Sequence, residues 1–259
     1  MNLIKRLIPY KDLYYIFVWR EFNVRYRNSI LGVLWALLQP LSLMLLFTFI
    51  FTYVLKLNVG DYPRSVFFYS ALLPWTFFAS SINYSVNSLS SNRLLITRIY
   101  FPREIIPLAG ISVAFIDMII ASLLFVLMMF YFKIQIGLAI LWVIPLTFIL
   151  LIFTISVSLI FASLNVYYRD VGLLSRFILQ LLFFGSPVLY SIDNLSLKLK
   201  ILLFLNPLTF IIENIRRCIL EGRNIVFWQL IFALSLVLIL YYFAHKLFTK
   251  IERDFADVI

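Results

Sequence analysis

The sequence predicts an all-α integral membrane protein: six transmembrane helices, an amphipathic N-terminal interfacial helix, and short re-entrant helices between spans 5 and 6. Composition makes the first argument. Of 259 residues, 63% are hydrophobic and 13% charged, about half the charged share of an ordinary soluble domain. Distribution makes the second, because the charges fall in clusters separated by uncharged runs as long as a bilayer is thick. The third is where the cations sit. A net charge of +10 would suggest nucleic acid in a soluble domain, but here Lys and Arg border the apolar runs. There they read as orientation signals and contacts to anionic headgroups, so nucleic acid is set aside.

Residues 10–28 place Tyr15, Val18, Trp19, Phe22 and Tyr26 on one helical face and Arg20, Asn23 and Arg27 on another. Such a helix is too charged to cross and suits the headgroup plane. Between Arg27 and Lys56 lie 28 uncharged residues, more than the about 20 a spanning helix needs, which gives a first span over 30–55 with Pro40 inside it. Further spans follow at 65–91, 105–132 (interrupted only by Asp117), 134–168, 171–192 and 225–245. Residues 195–222 hold only a short uncharged stretch divided by Asn206-Pro207. That is too short to cross, so re-entrant or interfacial helices are expected, their backbone covered by protein. With six crossings and the N-terminus inside, inner segments hold 14 Lys/Arg and outer ones 8. The bias predicts both termini cytoplasmic. The outer cations Arg216, Arg217 and Arg223 fit if they pair with Glu213 and Glu221 on the same helical stretch. No cleavable signal is expected at the start, where Pro9 and six Lys/Arg interrupt any apolar core.

Residues 92–104 stand apart. This loop between spans 2 and 3 carries Arg93, Arg98, Arg103 and Glu104, and Phe101-Pro102 must break any helix there. It reads either as a positive anchor for the cytoplasmic side or as a docking element for a soluble partner that drives the membrane part.

Chemistry is sparse elsewhere. One cysteine, Cys218, excludes an internal disulfide, and one histidine, His245, excludes a site built on two imidazoles. No GxxxxGK[ST], GxSxG or HExxH occurs, so nucleotide energy, if used, is bound by another polypeptide. Asp117 is the sole acidic residue deep in a span. It is either part of a proton relay or a paired structural group facing the bundle near Gly110, Ala114 and Ala121. Three stripes at alternating spacing of four and three mix aromatics with hydroxyls and amides. They are Trp35, Gln39, Ser42, Leu46, Phe49 and Tyr53; Ser70, Pro74, Phe77, Ser81, Tyr84 and Ser88; and Arg176, Gln180, Phe183, Pro187 and Tyr190. Each fits interhelical packing, or a path whose rings and hydroxyls receive a sugar chain.

Six segments then become recognisable in order: WREFNVRYRNSILGVLWALLQP (19–40), LLPWTFF (72–78), NRLLITRIYFPREIIPLAG (92–110), LNVYYRDVGLL (164–174), SPVLYS (186–191) and LNPLTFIIENIRRCILEG (205–222). Together they resemble the transmembrane permease subunit of ABC-2 type polysaccharide exporters, the group that moves O-antigen, teichoic acid and capsular polymers. Glu21 and Thr97-Arg98 are small departures from that pattern. The resemblance implies a homodimer in the bacterial inner membrane, docked on two copies of a cytoplasmic ABC ATPase. ATP and Mg would be bound by that partner, leaving this chain no cofactor and no catalytic or metal site. It implies coupling to the ATPase through Arg20, Arg25, Arg27, Asn92, Arg98, Phe101, Pro102, Arg103 and Glu104, with 92–104 as a coupling helix. A path for a polyprenyl pyrophosphate-linked glycan would run along Trp35, Gln39, Phe49, Tyr53, Gln180, Phe183 and Tyr190. The competing reading, a proton-coupled lipid or glycolipid flippase, needs titratable groups in the spans, and Asp117 alone qualifies.

Overall fold

The computed structural model describes residues 6–27, 29–56, 62–135, 137–193, 195–252 and 255, so Asn28 and Ile136, within the expected interfacial helix and fourth span, lie outside the described residues. Ten α-helices and no strand are found among them. Helix α1 (Lys11–Tyr26) precedes α2 (Trp35–Phe49), which enters through a 3-10 turn at Gly32–Leu34 and ends in a π-helical turn at Ile50–Val54. Then follow α3 (Arg64–Ser91), α4 (Arg93–Arg98), α5 (Ile105–Tyr131), α6 (Val143–Tyr167, entered through Leu138–Trp142) and α7 (Val171–Phe184). The chain closes with α8 (Leu197–Phe204), α9 (Pro207–Arg216) and α10 (Phe227–Ile251). Five helical stretches are long and apolar enough to cross a bilayer: Gly32–Val54, Arg64–Ser91, Ile105–Tyr131, Leu138–Tyr167 and Phe227–Ile251. Helix α7 is a shorter apolar helix. The chain is an all-helical, multi-span membrane protein.

Helix α3 is the axis of the bundle. It packs against α2, α5, α6, α7 and α9, and Phe68, Tyr69, Leu72, Phe78 and Ile82 are wholly buried. Pro74, inside this helix, removes one backbone donor. The approach of α5 is close, since a Cβ on Gly110 would sit 3.0 Å from the Tyr84 Cβ. Most of the second polar stripe therefore belongs to packing, with Ser70, Pro74, Phe77 and Ser81 buried, while Ser88 is half-buried and Tyr84 is exposed.

Helix α7 stops at Phe184, eight residues before the expected end of the fifth span at 192. At about 1.5 Å per residue its 14 residues reach about 21 Å, short of the about 30 Å hydrocarbon core. Gly185 and Pro187 interrupt the helix, and the freed carbonyls are collected by one side chain. The Arg216 guanidinium donates to the carbonyls of Pro187 (2.7 Å), Tyr190 (3.3 Å) and Val188 (3.4 Å). It also pairs with Glu213 at 3.2 Å and lies 3.8 Å over the Phe67 ring. Pro187 and Tyr190 thus leave the helical face they were expected to share with Arg176, Gln180 and Phe183.

The turn after α7 also starts α9. Asn206 caps that helix by accepting the Leu208 N–H at 3.0 Å, and its amide donates to Ser186 Oγ at 2.9 Å. Pro207 takes the first helical position, where its missing donor costs nothing. Every residue from Leu208 to Arg216 is buried, so protein covers this short helix. Two cations of this stretch pair as expected: Arg217 with Glu213 at 3.0 Å and Arg223 with Glu221 at 3.2 Å.

Removing one member of a buried ion pair costs about 3–5 kcal/mol, whereas a half-exposed one is worth about 1 kcal/mol or less. Arg216→Ala should therefore lower the melting temperature of the detergent-solubilised protein several times more than Arg217→Ala. Arg216→Lys should not restore it, because an ammonium lacks the planar fork that reaches several carbonyls at once.

Candidate functional site

Two clusters gather the polar residues singled out in the sequence. The first joins the interfacial helix to the bundle. Asp117, on α5, accepts a hydrogen bond from the Tyr26 hydroxyl at 2.5 Å and pairs with the Arg25 guanidinium. That guanidinium also lies 4.3 Å over the Tyr84 ring of α3. A further contact between Tyr14 and Ser112 ties α1 to α5. Asp117 is thus a paired group, and Arg25 points into the bundle rather than away from it. Around them is a cavity of about 230 Å³, lined among others by Trp35, Gln39, Tyr84 and Asp117. Arg20 stays on its own helix, 2.7 Å from Glu21 and 4.6 Å over Phe17, and Arg27 is exposed.

The cavity opens beside the first polar stripe. Trp35, Gln39, Ser42, Leu46, Phe49 and Tyr53 are all exposed in the single chain, with Trp35 at 52% and Tyr53 at 69%. Gln180 on α7 is exposed as well. Phe183 instead packs on Phe47 at 5.9 Å and Trp75 at 5.2 Å. Tyr190 is half-buried, its hydroxyl donating to the Phe184 carbonyl at 3.3 Å. The structure therefore places Trp35, Gln39, Phe49, Tyr53 and Gln180 on open helix faces and tucks Phe183 and Tyr190 inward.

The second cluster organises residues 92–104 into two parts. Asn92 precedes α4, its amide donating to the Ser88 carbonyl at 2.7 Å. This six-residue helix buries Ile96 and exposes Arg93, Leu94, Thr97 and Arg98. The chain extends at Ile99, as a helix-breaking Phe101-Pro102 requires. From there the segment is anchored. Phe101 is buried against Phe17 at 5.8 Å, and Pro102 is buried beside it. The Arg103 N–H donates to Glu252 at 3.0 Å, and its guanidinium binds the Glu252 carbonyl. Glu104, fully buried, is 3.4 Å from Arg6 and 3.2 Å from His245 Nδ1. Burial pushes its carboxyl up to about 7, with Arg6 opposing and Glu252 adding to the rise.

Sequence reasoning missed Arg6, Glu252 and His245 as partners of this loop. They lie 98 to 149 residues from it, and no local spacing rule reaches that far.

The ABC-2 type transporter model matches residues 12–220, and the chain belongs to that family of membrane transport proteins. Its relatives include the O-antigen export system permease protein RfbA of Klebsiella pneumoniae, 30% identical over 96% of this chain and 95% of that one. RfbA of Myxococcus xanthus is 29% identical over the full length of both. The polysialic acid transport protein KpsM of Escherichia coli is 26% identical over 78% of this chain and 79% of its own.

Two outcomes test these clusters. Hydrogen bonds to a charged group contribute about 1.5–3 kcal/mol, so Asp117→Leu should speed amide exchange across Lys11–Tyr26 at least about tenfold, while Asp117→Asn, which keeps an acceptor for Tyr26, should speed it less. Glu104 has a folded-state value above its unfolded one. It therefore favours the native state below about pH 4.5, and that contribution is lost as pH rises through about 7. Glu104→Gln should flatten the fall in melting temperature over that window.

Proposed function

We propose that this chain is the channel-forming permease subunit of an ATP-driven exporter for a lipid-linked polysaccharide of the O-antigen or capsular type. It would sit in the bacterial inner membrane with both termini cytoplasmic. The family and the names of its relatives support the substrate class. One structural observation supports the path: α2 leaves a full face of rings, an amide and a hydroxyl uncovered while α3 behind it is mostly buried, 78% across its most apolar stretch. In this reading a second copy of the chain closes over that face, and the path runs between the two copies.

The nucleotide has no place in this chain, which lacks a phosphate-binding loop. ATP and Mg belong to two copies of a cytoplasmic ABC ATPase. The exposed Arg93, Leu94 and Arg98 of α4 offer it a basic and apolar ridge. The buried Phe101, Pro102 and Glu104 act as the base on which that ridge is mounted, and Arg103 joins the base to the end of α10. A push on α4 then reaches α5 and α10 as rigid helices rather than dissipating in a loop. The flippase reading loses its main support, because Asp117 is held by Arg25 and Tyr26.

The reading separates into two measurable halves in vesicles carrying the chain with its ATPase. Phe49→Ala with Gln39→Ala should cut glycan export about tenfold, the equivalent of about 1.4 kcal/mol lost from contacts along the path, and leave ATPase association intact. Arg98→Glu should lower export and ATPase binding together. Unchanged export in the first variant would remove α2 from the path, and unchanged binding in the second would remove α4 from the docking surface.

A further inference from the structure

The end of α10 bounds a second cavity, of about 730 Å³, that the export path does not use. Arg6, Arg103, Tyr242, Lys246 and Glu252 line it. Three cations and His245 therefore line the cavity with one carboxylate, Glu252, while buried Glu104 behind the wall takes one contact each from Arg6 and His245. Glu252 is already engaged: Oε2 lies 3.2 Å from Arg6, and Oε1 accepts the Arg103 N–H at 3.0 Å. Lys246 is exposed and forms no ion pair among the described residues. Each guanidinium has five N–H donors, and the contacts of Arg6 and Arg103 occupy only some of them. The cavity is thus a concave site of net positive charge with donors to spare, suited to a phosphate group.

Its position selects among phosphates. Lys246 is the first cation after the uncharged part of the last span. The residues leading up to it, Leu238, Ile239, Tyr242 and Phe243, are exposed. At about 1.5 Å per residue that apolar surface runs back about 12 Å from the lysine into the hydrocarbon. A ligand with a phosphate at Lys246 and acyl chains along this face meets both features. A free phosphate meets one.

We propose that this cavity binds the headgroup of an anionic phospholipid, its phosphodiester held by Lys246, Arg6 and Arg103 and its chains laid along the outer face of α10. The bound lipid fills the gap between the first residues of the fold, the base of the docking ridge and the last helix. The inference rests on the geometry at this end of α10 and is independent of the export assignment.

Native mass spectrometry of the purified full chain tests it, with phosphatidylglycerol, phosphatidylcholine of the same acyl chains, and inorganic phosphate as probes. One phosphatidylglycerol should be retained in preference to phosphatidylcholine. Lys246→Ala should weaken it about fivefold, the worth of one cation at a membrane surface. Lys246→Arg should retain it, and Lys250→Ala, an equal charge loss on the same helix outside the cavity, should leave it unchanged. Equal retention of the two lipids, or equal weakening by Lys246→Ala and Lys250→Ala, would overturn the proposal. Displacement by inorganic phosphate would replace the lipid with a free anion. Loss of ATPase association in Lys246→Ala with lipid binding unaltered would give the cavity to an acidic segment of a partner protein.

Discussion

A carbonyl without a donor costs several kcal/mol in hydrocarbon, and this fold depends on how the Arg216 side chain meets that demand. Helix α7 ends before it could traverse the core, and the backbone after it turns without helical bonds of its own. One guanidinium, buried over Phe67, takes up carbonyls from Pro187 to Tyr190 and is neutralised from within its own helix by Glu213. Because Asn206 fastens the start of that same helix to Ser186, the turn and the buried helix hold each other. Each depends on the other's contacts, in keeping with the burial of the short helix from Leu208 to Arg216.

The same logic of covered and uncovered faces divides the remaining helices. Helix α3 is surrounded, and its serines serve close approach. Helix α2 has neighbours on one side only, so its opposite face keeps its rings and amide available. The interfacial helix is held at this boundary by charge, through Arg25 and Tyr26 on Asp117. A charged pair in a partly buried setting holds one geometry more strictly than apolar packing can, since both hydrogen-bond direction and distance matter. The entrance to the cavity beside Trp35 and Gln39 therefore has a defined wall.

Much of the fold was legible because hydropathy and helix-breaking residues act locally. The uncharged run from Arg27 to Lys56, the Phe101-Pro102 break and the division of the short stretch at Asn206-Pro207 are each readable within a few residues. The pairing of Arg217 with Glu213 and of Arg223 with Glu221 was readable for the same reason. What escaped was set by tertiary contact. The early end of α7 depends on an arginine 29 residues from Pro187. The roles of Arg25 and Glu104 depend on partners roughly a hundred residues away. Stripes of like spacing on α2 and α3 also could not be told apart until their neighbours were known. Periodicity defines a face and says nothing of what covers it.

The anchoring of residues 101–104 sets an order of events during biosynthesis. Arg103 and Glu104 emerge from the ribosome long before His245 and Glu252, the groups that seat them. At roughly 5–20 residues per second, Arg103 waits many seconds for Glu252, and Glu104, already within reach of Arg6, waits as long for His245. Until those partners arrive, the helices before α10 can take their places while residues 101–104 still lack the contacts that seat them. The seating of this loop is thus a late event, set by the arrival of the last helix.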